Sequence, residues 1–167
     1  MEYTVVGTHE VDFSADIIPG ESIAGFTILK QDYDDVRRAL EILDKNYYFQ
    51  DNGDYLEVFS KVDQEYGNTD IIMNFFFNSE KKLDCINVFK TNNDNQYEGR
   101  ILGKYGLGDK VIDLAQFGEL ERTSTGESFL LINSDNKYGL SVSNGLDVSL
   151  EEDPEQNIAV ISVHCFS

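Results

Sequence analysis

Apolar and polar positions alternate along most of this chain, and one stretch breaks clearly into helical spacing. Tyr33, Val36, Ala39, Leu40 and Leu43 recur at the three- and four-residue intervals of a helix face. Asp32 stands where an N-cap belongs, and Asp34 and Asp35 suit the positive end of the helix dipole. The spacing therefore predicts a helix opening at Asp32. Before it, Tyr3 to Asp16 reads as a strand whose apolar members are Tyr3, Val5, Val11 and Phe13. Ile17-Ile18-Pro19-Gly20 reads as a turn, and Ile23 to Leu29 as a return to extended chain.

Beyond that helix the pattern is β. Tyr47-Tyr48-Phe49, the Asp51-Asn52-Gly53-Asp54 turn and Tyr55 to Phe59 predict a hairpin, since Asn-Gly is a strong turn signal. Ile71 to Phe77 is apolar on both faces and predicts a central strand covered on each side. Leu83 to Phe89 joins it through the Asn78–Lys82 turn. The polar run Thr91 to Gln96 then marks an internal boundary.

Past that boundary the first half returns. Ile23, Gly25, Leu29 and Val36 match Ile101, Gly103, Leu107 and Leu114 at an offset of 78 residues without a gap. Ile86-Asn87-Val88 lines up with Ile161-Ser162-Val163 as the closing strand of each half. The second copy has a shorter helix, about Lys110 to Phe117, and strands around Ser128 to Ile132, Gly139 to Val142 and Ile158 to Phe166. The alternative is chance similarity between two amphipathic segments; the repeated order of elements favours one unit used twice. The expected fold is α+β, a mainly antiparallel sheet or pair of sheets with two short helices, from a duplicated strand–helix–strands unit. It forms one domain over residues 1–167, with halves of approximately 1–95 and 96–167.

Charge changes the picture. Thirty-one Asp and Glu stand against 13 Lys and Arg, a formal net of −18 over 167 residues. Hydrophobic residues still make up 41 %, with 11 Phe and 9 Tyr, so a core can form. Such a surface repels nucleic acid and anionic membranes and attracts basic partners from a distance. Only Arg37-Arg38 and Lys81-Lys82 place two cations side by side, which argues against nucleic-acid binding. No stretch reaches the roughly 18–20 apolar residues of a membrane-spanning helix. Met1 to Gly7 lacks the basic and apolar regions of a secretory signal, so the expected location is the cytoplasm.

Candidate chemistry is sparse. Cys85 and Cys165 make neither a disulfide framework nor a zinc site and read as ordinary thiols. His9 and His164 fall outside nucleophile and metal motifs and read as structural or surface residues. The Asp- and Asn-rich turns at 51–54, 92–95 and 133–137 do not complete a calcium loop. The glycines from Gly103 to Gly108 do not complete a phosphate-binding fingerprint. No catalysis, cofactor or metal is expected.

What remains is surface. Glu151, Glu152, Asp153 and Glu155 fill one acidic loop, while Glu119 and Glu121 would share a face of any strand there. These are the candidate contacts to a basic partner, with Tyr47, Tyr48 and Tyr55 as aromatic anchors, although core or strand packing explains the tyrosines equally well. A plain solvated shell that keeps a Phe-rich chain soluble is the alternative, a non-catalytic scaffold domain. A carboxylate-dependent hydrolase is a third reading, requiring two carboxyls facing each other in a cleft.

The unit seen as Ile23-Ala24-Gly25 with Leu29 and Val36, and again as Ile101-Leu102-Gly103 with Leu107-Gly108-Asp109 and Leu114, resembles one found among immunity proteins of bacterial polymorphic toxin and contact-dependent growth-inhibition systems. Lys30 and Gln31 depart from it in the first copy, where the second has Gly108 and Asp109. The resemblance implies a small, acidic, cytoplasmic protein that neutralises a cognate toxin, often a basic nuclease, by binding it. It carries over no individual contact residue, because such proteins place their toxin contacts differently from one another.

Overall fold

The computed structural model describes residues 10–61, 71–91, 96–123, 128–132, 139–144 and 148–164. Residues 10–16 run without strand, so the part of the expected first strand that lies within the described residues is not one; Tyr3 to His9 lie outside them. Val11 and Phe13 nevertheless pack against the core. The extended stretch expected at Ile23 to Leu29 is instead a tight hairpin of β1 (Ser22–Ile23) and β2 (Phe26–Thr27). Ala24 and Gly25 turn it with φ of 59° and 86°. Two consecutive left-handed residues are what a two-residue hairpin turn of type I′ requires, and glycine supplies one of them without steric cost. Leu102 and Gly103, 78 residues later, repeat the conformation at φ 50° and 76°.

Helix α1 (Tyr33–Glu41) follows, opened by Asp32 as the sequence predicts. The Asp32 carboxylate accepts the Asp35 N–H at 2.9 Å, and the Asp35 carboxylate accepts the Asp32 N–H at 3.1 Å. This reciprocal box satisfies two of the donors that a helix start leaves free. The antiparallel meander β3 (Tyr47–Asp51), β4 (Tyr55–Ser60), β5 (Ile71–Phe77) and β6 (Leu83–Phe89) completes the first half. In the second half a 3-10 helix (Val111–Gln116) precedes β7 (Glu119–Arg122), β8 (Phe129–Ile132), β9 (Leu140–Ser143) and β10 (Val160–His164).

The two meanders join into one eight-stranded sheet, ordered β3-β4-β5-β6-β10-β9-β8-β7. The start of the helix in each half is tied to the chain entering that half's last strand by matching backbone bonds. Tyr33 N–H donates to Lys81 O at 2.9 Å and Val111 N–H to Gln156 O at 3.1 Å. Leu83 N–H donates to Gln31 O at 2.9 Å and Ile158 N–H to Asp109 O at 2.7 Å. At the seam, β6 and β10 pair antiparallel with Asn87 opposite Ser162, flanked by Val88 opposite Ile161 and Ile86 opposite Val163. Exchanging the halves maps this central pairing onto itself.

Alternation of side chains gives the sheet an inner and an outer face. Leu56, Val58, Met73, Phe75, Ile86, Val88, Leu131, Leu140, Val142, Ile161 and Val163 line the inner face and are buried. Val36, Ala39 and Leu40 of α1 and Val111 and Leu114 of the 3-10 helix close the same core, so both helices lie on the inner side. Tyr97 fastens the halves together. Its ring is buried, its oxygen accepts the Ala24 N–H at 2.9 Å, and its O–H donates to Ala15 O. Burial pushes the Tyr97 phenol well above its ordinary range.

Candidate functional site

The outer face carries three transverse rows of side chains. The middle row crosses the whole sheet and is polar except at Leu130: Gln50 opposes Glu57, which opposes Asn74, then Asn87, Ser162, Ser141, Leu130 and finally Glu121. Asn87 Nδ2 donates to Asn74 Oδ1 at 2.7 Å, and the Cys85 thiol lies 3.4 Å from Ser162 Oγ. On one side runs a row with Tyr48 opposite Phe59, Phe59 opposite Ile71, and Phe89 opposite Val160. On the other side Tyr55, Phe76, Cys85 and His164 face one another in turn, and Ile132 opposes Glu119. Successive rows lie about 7 Å apart and the face spans roughly 34 Å across its strands, from the ordinary rise and spacing of a sheet.

The outer aromatic and aliphatic side chains in these rows are half-buried and do not belong to the inner core. Their described ring contacts stay within the sheet: Tyr48 stacks on Phe59 with centroids 5.1 Å apart, and Tyr55 on Phe76 at 5.2 Å. The expectation that β5 is covered on each side by apolar packing is thus met on the inner face, while its outer side meets a polar row flanked by rings. The strands place Glu57, Glu119 and Glu121 on this outer face, and their one Lys or Arg, Arg122, pairs opposite the inner-facing Phe129. Lys61 follows the end of β4. A patch that joins half-buried rings, hydrogen-bonding side chains and one sign of charge has the make-up of a protein contact surface.

The sequence-predicted contacts separate in space. Tyr48 and Tyr55 stand on the outer face near one edge; Glu119 and Glu121 stand on the same face at the opposite edge. Tyr47 faces inward, stacked on Phe13 with centroids 4.4 Å apart, and burial pushes its phenol upward. Adjacent residues of a strand point to opposite sides, so the Tyr47-Tyr48 pair splits between core and surface. The acidic loop, between β9 and β10, belongs to neither flank. Asp153 N–H donates to Ser149 O at 3.0 Å, Glu152 N–H to Ser149 Oγ at 3.2 Å, and Gln156 Nε2 reaches the carbonyls of Val148, Ser149 and Asp153. Glu155 pairs with Lys110, which fastens the loop beside the 3-10 helix, on the helical side of the molecule. Glu151, Glu152, Asp153 and Glu155 are exposed there.

What sequence reasoning missed is the row Glu57, Asn74, Asn87 and Ser162. The signal was present as polar residues at alternate positions inside otherwise apolar strands, but only the register aligns them. An open cleft of about 840 Å³ lies where Lys90, Tyr97, Glu98, Arg100, Leu107 and Asp109 meet. It mixes cations with carboxylates. The described carboxyl that burial raises, Asp84, sits at the bulge of β6 and does not line it. Among the described residues no group of three or more His, Cys, Asp or Glu is close enough to hold a metal ion, and no helix is long and apolar enough to cross a membrane. No family model, curated protein or solved structure matches the chain.

Proposed function

We propose that this protein binds and neutralises a basic protein partner in the cytoplasm, as an immunity protein inhibiting a cognate toxin, and that the outer face of the sheet is its docking surface. The observation that carries this reading is the combination on one face of half-buried aromatic rings with carboxylates and no strand-borne lysine or arginine. A net charge of −18 steers a basic partner toward it, and the rings supply short-range contact once it arrives. The exposed acidic loop lies on the helical side and adds to the long-range field.

The test is direct binding to the basic protein encoded beside it in the source genome, at low and high salt. Tight binding that weakens with salt, and that is lost in Ser162→Arg or weakened in Glu119→Lys, supports the reading. No binding at either salt, or binding that ignores both substitutions, overturns it. Charge reversal at Glu151 and Glu152 is expected to slow association and to leave the dissociation rate unchanged.

A further inference from the structure

Glu57 sits in the middle of β4 on the outer face, between Tyr55 and Phe59 on its own strand. Each of these rings is stacked on a neighbour, Tyr55 on Phe76 with an interplanar angle of 17° and Phe59 on Tyr48 at 19°. The carboxylate therefore stands between two aromatic stacks, each about 7 Å away along the strand. Across the ladder it faces Gln50 and Asn74, two neutral amides. Its described hydrogen bond comes from Asn52 Nδ2 to Oε1 at 2.8 Å, and no cation of the described residues pairs with it.

The neighbouring strand shows how the chain fills a similar arrangement when it supplies the cations itself. On the inner side of β3, Asp51 accepts the Tyr33 O–H, and Arg37 Nε lies 3.4 Å from its carboxylate. The Lys81 ammonium stands over the Tyr33 ring, 5.5 Å from its centre. Carboxylate, ring and cation are all present there. At Glu57 the carboxylate and the rings are present, and no lysine or arginine of the described residues pairs with the carboxylate. A carboxylate between two aromatic stacks attracts a cation by the Coulomb term, and a ring face that the cation reaches adds a cation–π term.

We infer that Glu57, Tyr48, Tyr55, Phe59 and Phe76 form a socket for one arginine or lysine side chain carried by a basic protein partner. The inference rests on the reading of the outer face as a docking surface and names the contact that anchors it. Glu57 is the one carboxylate among these residues, and the affinity of an oxygen-ligand site for a metal ion depends on how many charged ligands it combines. The guanidinium group suits the site best, because it stacks flat on a ring while its N–H groups reach a carboxylate.

The experiment titrates the whole protein with N-acetyl-arginine amide and with N-acetyl-citrulline amide, its neutral isostere, and follows the aromatic ring resonances by NMR. Saturable shifts of the Tyr48, Tyr55, Phe59 and Phe76 rings are expected with the arginine probe. Affinity is expected to fall about fivefold or more with citrulline, and equally in Glu57→Gln. Equal response to citrulline, an unchanged response in Glu57→Gln, or no saturable shift up to tens of millimolar probe overturns the socket. If Ser162→Arg abolishes partner binding while the arginine probe leaves the rings unmoved, the docking face stands and only the socket falls. If the probe binds but Ser162→Arg leaves partner binding intact, the docking face falls and the cation site stands alone.

Discussion

The two halves follow the same path to their helices and then part company. Tyr33 and Val111, 78 residues apart, each open a helix and donate the same backbone bond to the segment that leads into the strand closing their half. In the first half the result is a nine-residue α-helix with a full capping box. In the second it is a six-residue 3-10 helix whose cap position holds Lys110, with no side-chain hydrogen bond to the helix start. The frame of backbone bonds thus sets where a helix begins, while the cap residue and the number of turns available set what kind of helix it becomes.

The largest way to break this comparison is at the junction rather than in the helices. Gly99 corresponds to Glu21 of the first half at the same offset. A Cβ at Gly99 would lie 2.0 Å from Ala15 O and 2.5 Å from the Tyr97 ring, contacts no rotamer relieves. Gly99→Ala is expected to cost about 3 kcal/mol or more, measured by chemical denaturation, whereas Glu21→Ala stays within about 0.5 kcal/mol. Tyr97→Phe keeps the ring and removes the oxygen, leaving the Ala24 N–H and Ala15 O without it, for a loss of about 1–3 kcal/mol.

A smaller effect sharpens the contrast between the helices directly. Asp32→Ala removes the cap and is expected to cost about 1 kcal/mol, whereas Lys110→Ser supplies one and is expected to gain a few tenths, with both read from denaturation midpoints at constant slope. The exposed Lys110–Glu155 pair lost in the second variant contributes little. Equal responses of the two halves would show that capping does not distinguish them.

The smallest effect is on acidification. Backbone hydrogen bonding from Asp35 holds the Asp32 carboxyl below its ordinary value of 3.8, and the Tyr33 hydroxyl, with the Gly53 N–H, does the same for Asp51. A depressed folded value means these groups add stability that is complete above the ordinary carboxylate value. That stability is lost as pH falls through the lower folded value. An acid titration of stability is therefore expected to fall less steeply below pH 3.8 in Asp32→Ala than in the parent chain. Identical acid limbs would remove Asp32 from the account.

Much of this frame was legible in the sequence, and the reasons are local. Asp32 before an apolar 3–4 rhythm, Asn52-Gly53 between alternating runs, and the matched Ile23 and Ile101 segments each report neighbours along the chain. The tight turn at Ala24-Gly25 was hidden because alanine gives no warning of a left-handed φ; the backbone bonds around β1 and β2 impose it. Tyr47 and Tyr48 looked alike because burial depends on which face meets the helices, a fact of packing rather than of pattern. The acidic loop was visible as composition, but its distance from the tyrosines is a consequence of strand order. Asn74, Asn87 and Ser162 read as interruptions of apolar strands until the register made them a row.

The pairing of Asn87 with Ser162 at the seam has one more consequence. About that point the backbone is nearly indifferent to being turned end for end, so a partner meeting only main chain would have two equivalent ways to lie. The side chains remove the choice: rings gather toward β3 and β4, bare carboxylates toward β7. The molecule thus sets a direction on a symmetric platform, and whatever settles there has a head end and a tail end.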